Sequence, residues 1–476
     1  MPKRVEWPKK KRAGLLWELL PLPETKDGVR QIMDTLLGII LVLGVMILVH
    51  EWGHFIVARL CGVRVDVFSI GFGPKLFGWK SGPTEYRLSA LPLGGYVRMA
   101  GQDLSEIDSG QQGPTGAPDE LMSKPRWQRA LIILAGPSVN LLMPILLVGG
   151  FYILRGMPYP SFLNNPPVIV SMAANDPLKS DGVVPGDRIK AVNGVPTATW
   201  DAVDDQFTAG SQNDSMKLAI EHQGAERQIT VNTKAILDAE APVRYQPIRT
   251  VIGQVSKGYP AHRAGMQRGD EIVSVNGTAI SNWPEFVDMV ENSGGKTLTV
   301  GVKRGEKLLT LSLQPTTVTG DNGKQVYRIG VAREEHWAYK PMTLTSAVSN
   351  AAAGSWNVTV QLFGVVGKLF TGKMSISQLQ GPVGIADLAG QAVQEGTYAV
   401  INLMAVISLN LGVLNLLPIP ILDGGHLLLL SIEGIRRRDL SLTFKERFIQ
   451  VGFVFLLVLF SIVMYHDVVR LLPIRS

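Results

Sequence analysis

A single cysteine, Cys61, stands in 476 residues. No intrachain disulfide can form, and a cysteine-based metal site is excluded. Charge is scarce too. Asp, Glu, Lys and Arg make up 18% of the chain against a hydrophobic share of 46%, and mean hydropathy is +0.17. These values lie on the greasy side of a soluble average. The shortage of charge is local. Runs at about 35–59, 130–154, 398–422 and 448–465 carry almost none, and a hydrocarbon core takes roughly 20 apolar residues to cross. Four transmembrane helices are therefore expected, over 33–60, 127–156, 397–432 and 445–468. Length alone allows two to four domains.

Net charge is +6, but the basic residues cluster beside the apolar runs. They read as membrane flanks, so the lipid bilayer is an expected partner and nucleic acid is not. The opening "MPKRVEWPKKKR" precedes "AGLLWELLPLP", which is too short and too broken for the apolar core of a cleaved leader. Residues 1–32 thus read as a basic N-terminal extension. From Pro341 to Gly367 no residue is charged. Thr, Ser, Asn, Gln and Gly punctuate that stretch, so 341–396 reads as an interfacial helix and linker rather than a fifth span.

The loop 61–126 begins with alternating aromatics, β-branched residues and glycines, the pattern of a hairpin. It ends in "GQDLSEIDSGQQGPTGAPDE", which reads as a mobile linker. Further on the chain repeats itself. "GVVPGDRIKAVNG" at 182–194 and "GMQRGDEIVSVNG" at 265–277 align without a gap, and Trp200 and Trp283 follow at equal distance. Two tandem β-rich domains are expected, over 160–240 and 245–335. Their core, Gly-Asp followed by alternating Ile and Val and then Asn-Gly, resembles the PDZ family. Such domains add a peptide strand to a sheet edge, so peptide or protein segments are expected partners there. Neither copy shows a clear carboxylate-binding loop.

Histidine is rare, seven in all, and two of the seven lie in the first apolar run. "LVHEWGHFIVARL" puts His50, Glu51 and His54 where no other ionisable side chain occurs between Thr35 and Ala58. On a helix, His50 and His54 share one face. Two imidazoles so placed can hold one zinc ion, and Glu51 beside them can take a proton from an activated water. A lone ionisable group at the bilayer centre costs about 2.5–3.5 kcal/mol on insertion scales, so three together need partners or a function. A third ligand is wanted. Asp423 is the only acid between Glu395 and Glu433 and follows Pro418 and Pro420, which break the helix. It is the favoured candidate, with His426 its rival. The ligand types also suit iron or manganese.

"HEWGH" in one span and "NLLPIPILDGG" in a later one resemble the signature pair of the site-2 protease family of intramembrane zinc metalloproteases. "SIGFG", "PLGGYV", "AGPSVN" and "GPVGIA" strengthen the likeness, which covers nearly all of 33–470. The subgroup with tandem PDZ domains between the second and third of four spans is the most similar. The resemblance implies a polytopic α-helical membrane protein with two tandem PDZ domains in an extramembrane insertion. It implies Zn2+ held by His50, His54 and Asp423, with Glu51 as general base. Asn410 and Asn415 match asparagines that hold the substrate backbone, although ordinary interhelical hydrogen bonds would also explain them. Segment 69–98, with Gly94 and Gly95, matches a membrane-associated hairpin that offers a strand edge to an unwound substrate. Implied substrates are single-pass transmembrane proteins of the anti-sigma-factor type, and remnant signal peptides. The PDZ pair would gate their access.

Arg436, Arg437, Arg438, Lys445 and Arg447 mark the loop 424–447 as cytoplasmic. With four spans, the PDZ pair then faces the periplasm of a bacterium, and the protein is a multi-pass resident of the inner membrane. Two other classes compete with the protease: a metal-ion transporter using His50, His54 and Asp423 in transit, and a catalytically silent scaffold. A protease needs Glu51 as base; a conduit would tolerate glutamine there.

Overall fold

The structure, a computed structural model, describes residue 33 and residues 35–101, 115–169, 172, 176–237, 250–256, 258–319, 325–334, 336–372, 374 and 379–471. The basic extension expected over 1–32, and most of the linker expected after Met99, lie outside the described residues. The chain divides into two compact units. One comprises residues up to 155 and from 341 to 469; the other centres on Gly156–Lys340.

The first unit is helical. Its helices are α1 (Thr35–Leu60), α2 (Arg126–Arg155), α3 (Leu344–Phe370), α4 (Pro382–Glu395), α5 (Thr397–Leu416), α6 (Asp423–Arg436) and α7 (Leu442–Leu471). Among the described residues, α1, α2, α5 and α7 are long and apolar enough to cross a membrane; these are the four expected from the sequence. The 27-residue α3 is not among them. It buries Ala347 and Ala351 while leaving Leu344, Trp356 and Phe363 exposed.

Along α1 the buried row is Val42, Met46, His50, His54 and Ala58. An i, i+4 row drifts by about 40° a step around an α-helix. The wider π turn at Ile40–Gly44 takes out part of that drift, so the row keeps facing inward. Helices α1 and α2 meet backbone to backbone. A Cβ on Gly53 would lie 2.7 Å from the carbonyl oxygen of Ala135, so only glycine permits this approach.

The stretch expected as one helix over 397–432 is two. Leu417 turns to extended backbone at the end of α5, and Pro418 and Pro420 deny the next turn its amide donors. Ile421 sits at φ +76°, a left-handed conformation that is costly for a β-branched residue. Helix α6 then restarts at Asp423. Gly424 and Gly425 are needed here, because a Cβ on either would run into the carbonyls of Leu416, Leu417 or Ile419.

Strands β1 (Val65–Ser81) and β2 (Thr84–Met99) form an antiparallel hairpin. Its root buries Val65, Phe68, Val97 and Met99 against Phe55 and Ala58 of α1. Towards its tip Leu76, Phe77 and Trp79 are exposed.

The second unit holds two lobes of like topology. In one, β3 (Arg188–Val192), β4 (Val195–Pro196), β5 (Ser215–His222) and β6 (Ala225–Asn232) lie in the order β4-β3-β5-β6. In the other, β7 (Glu271–Val275), β8 (Thr278–Ala279), β9 (Leu298–Arg304) and β10 (Lys307–Leu313) lie in the order β8-β7-β9-β10. Each lobe has its own apolar core. The repeated Asn-Gly pairs turn as their types dictate: Asn193 and Gly194 at φ +50° and +82°, Asn276 and Gly277 at +52° and +81°. The repeated aspartates are wholly buried. Asp187 pairs with His222, and Asp270 takes Arg304 Nε at 2.7 Å.

Candidate active site

The close approach of α1 to α2 places the imidazole of His54 against Gly136, where any side chain would collide with the ring. His54 Nδ1 donates to the carbonyl of Ile132 at 2.8 Å. That bond settles the tautomer of the neutral ring: Nε2 keeps its lone pair. One turn earlier, His50 presents its own Nε2 only 3.2 Å away. From the broken segment, Asp423 Oδ2 reaches within 3.3 Å of His50 Nε2 and 3.5 Å of His54 Nε2. Both histidines are buried.

Lone pairs on nitrogen and oxygen do not converge in a buried place without something to hold them. Zinc binds such atoms at about 2.0–2.2 Å in a tetrahedron, whose edges are then about 3.3–3.6 Å. The observed edges of 3.2, 3.3 and 3.5 Å fit that requirement. His50, His54 and Asp423 form the one such ligand group found among the described residues. The rival ligand His426 lines the same cavity but does not belong to the group.

The group lies on the wall of a cavity of about 610 Å³. Glu51 opens onto it, its carboxylate accepting the Val97 amide of β2. Gly94 and Gly95 line it too. A Cβ on Gly95 would come 3.1 Å from Glu51 Cγ, and one on Gly94 would strike the Phe72 ring. Gly95 thus leaves room beside the acid, and Gly94 makes room for the Phe72 ring. Asn415 also faces the cavity, with Nδ2 3.4 Å from His50 Nε2. Asn410, a turn and a half earlier on α5, does not line it. The sequence reading passed over three features. They are the Ile132 carbonyl, the side chain of Asn140 beside His50, and a charged end of the cavity where Glu433, 1% exposed, pairs with Lys445 at 2.9 Å. A backbone carbonyl has no signature in sequence. Asn140 did leave one, as the only carboxamide between Leu131 and Leu154.

Two imidazoles, a carboxylate and a neighbouring acid, set among helices of membrane-crossing length, define a class: a membrane zinc metalloprotease. The chain belongs to peptidase family M50, whose sequence model matches residues 38–459. Within that class it is similar to the regulator of sigma-E protease RseP of Escherichia coli strain K12, 34% identical over 457 residues, or 92% of this chain and 98% of that one. The protease RseP of Yersinia pestis is 32% identical, over 92% of this chain and 99% of that one. A Neisseria meningitidis protein bearing the name of a zinc metalloprotease is 32% identical, over 92% and 100%. A solved PDZ domain of an SdrC-like protein from Listeria monocytogenes is 24% identical and covers 18% of this chain and 87% of that one. Its TM-score of 0.16 is too low to bear on the fold of either lobe.

Proposed function

We propose that this zinc metalloprotease hydrolyses a peptide bond within the transmembrane segment of single-pass substrates, with His50, His54 and Asp423 holding the metal and Glu51 as general base. The observation that carries the reading is the triangle of ligand atoms on a cavity wall shared with Glu51, inside a unit built from four apolar helices. Zinc, when bound, supplies a Lewis acid that polarises the scissile carbonyl and activates water near neutral pH.

The chain's own residues do the rest. The Glu51 carboxylate takes a proton from the attacking water as its oxygen bonds the carbonyl carbon. It then gives that proton to the leaving nitrogen as the C–N bond breaks. His54 stays in the required tautomer through Ile132. A helical substrate hides its carbonyls, so the segment must be extended when cleaved. Gly94 and Gly95 leave a lane beside Glu51 in which the edge of β2 pairs with that extended segment. Asn415 holds the segment's backbone from the opposite helix. Asn410 carries this assignment only by its resemblance.

The two lobes are tandem PDZ domains, a reading supported by their matching strand order and Asn-Gly turns. They face the periplasm from the inner membrane and gate access, so that substrates of the anti-sigma-factor type, or remnant signal peptides, enter after their bulky outer part is removed. Helix α3 lies at the membrane interface, with Leu344, Trp356 and Phe363 towards lipid.

The test compares wild type with Glu51→Gln in detergent, recording zinc content and cleavage of a trimmed single-pass substrate together. Equal zinc with cleavage lowered about 10²–10⁴-fold or more is the expected result. Equal cleavage in both would remove Glu51 from the mechanism.

A further inference from the structure

Asn140 is 0% exposed and stands on α2 behind the His50 ring. Its Nδ2 lies 3.2 Å from His50 Nδ1, while its Oδ1 is buried and meets no donor among the described residues. On the other side of the ring, Asn415 Nδ2 lies 3.4 Å from His50 Nε2. A neutral imidazole carries one N–H and one lone pair. It cannot accept from two carboxamides at once, so at least one of these contacts is not the hydrogen bond that its atoms imply. The oxygen and nitrogen of a carboxamide fill nearly the same space, and only hydrogen bonding tells them apart.

We propose that Asn140 is the positioning residue of His50: in the zinc-loaded protein its amide presents Oδ1 to His50 Nδ1–H and so fixes Nε2 as the metal-binding atom. This rests on the reading of His50 as a zinc ligand. The partner of a metal-binding histidine is ordinarily a carboxylate or carbonyl that accepts from the other ring nitrogen. His54 has one in Ile132 O. Asn140 Oδ1 completes the pair, with both acceptors supplied by α2.

The backbone at Asn140 is held for this purpose. Pro144 lies inside α2 and has no N–H to give the carbonyl of Asn140, four residues earlier. Ser408 of α5 supplies the missing donor, its hydroxyl lying 2.8 Å from Asn140 O. The site of the carboxamide is thus fixed from α5 as well as from α2. A carboxamide in this place serves either tautomer of His50, where a carboxylate serves only the one that binds metal through Nε2.

The experiment measures zinc affinity of the full-length protein in detergent by competition with a chelating dye. It compares wild type, Asn140→Leu, Asn140→Asp and His50→Ala. Leucine keeps the volume and removes the acceptor; aspartate keeps the acceptor and removes the donor. The expected result is zinc bound about 10–100-fold more weakly by Asn140→Leu and as tightly as wild type, or more so, by Asn140→Asp. Thermal unfolding of the metal-free forms should be alike. Undiminished affinity in Asn140→Leu overturns the proposal. Equal losses in both variants overturn it too, since they would make the amide a donor or a mere packing group. If the leucine protein is not monodisperse, Asn140→Val takes its place with the same expectation, and loss of zinc in the aspartate variant still overturns the proposal. Wild type and His50→Ala binding zinc equally would instead remove His50 from the ligand set, a separate failure.

Discussion

At the scale of single residues, the site depends on what is missing as much as on what is present. Gly136 has no side chain because the His54 imidazole occupies that space. Gly136→Ala should push the ring from Asp423 and cut zinc affinity at least tenfold, the lower bound for disturbing a ligand's support. Dye competition would show it. Gly95→Ala should act differently. Its methyl would meet the Ser69 carbonyl of β1 at 2.8 Å and Glu51 Cγ at 3.1 Å, displacing β2 and the acid, so cleavage should fall while zinc content stays at the wild-type level. Elemental analysis beside a cleavage assay separates the two. The candidate ligands that the structure brings together were legible in the sequence because metal chemistry admits few residue types, and an apolar run makes any ionisable side chain conspicuous. Asn140 stood inside "AGPSVN" with no role of its own. Its partner His50 is 90 residues away, and nothing local to "AGPSVN" says which side chain it meets.

At the scale of elements, the four apolar helices followed from hydropathy, and Pro418 and Pro420 marked a break inside the span expected over 397–432 without giving the two helices it separates. The sequence did not tell that α6 restarts at Asp423 itself, because that depends on Ile421 taking a left-handed turn and on two glycines clearing the carbonyls before them. Nor did it show that Pro144 is tolerated within α2 through a donor borrowed from α5. That borrowing makes a double-mutant cycle. Ser408→Ala should destabilise the protein by about 1–2 kcal/mol, the cost of a buried carbonyl left unpaired. The loss should shrink when Pro144→Ala restores the helical N–H. Thermal unfolding of the four proteins in detergent measures the coupling, and simple additivity would count against it.

At the scale of the whole molecule, the repeat announced two lobes, because a Gly-Asp turn and an Asn-Gly turn each require particular backbone angles and so leave a readable trace. Less legible was that both lobes bring an arginine to the same buried aspartate, Arg227 to Asp187 at 3.5 Å and Arg304 to Asp270 at 2.7 Å, and that the first lobe adds His222. Arg304→Ala strands a buried charge and should destabilise the second lobe by about 2 kcal/mol or more. Because each lobe has its own core, limited proteolysis should cut first within 250–334, with zinc content unchanged. If the lobes gate access, the same variant should cleave an untrimmed substrate faster than wild type does.

The triangle formed by His50, His54 and Asp423 also acts as a gauge of ion radius. His50 and His54 stand one turn apart on α1 and Asp423 opens α6, so the triangle's edges are set by the pitch of one helix and by the broken segment that brings α6 to it. Calcium, bonded to oxygen at about 2.3–2.6 Å and wanting six to eight ligands, would have to spread the three atoms apart and would find two imidazoles where it prefers carboxylates. Discrimination against calcium would then lie in the pitch of α1 and the break before α6, and not only in the ligand types.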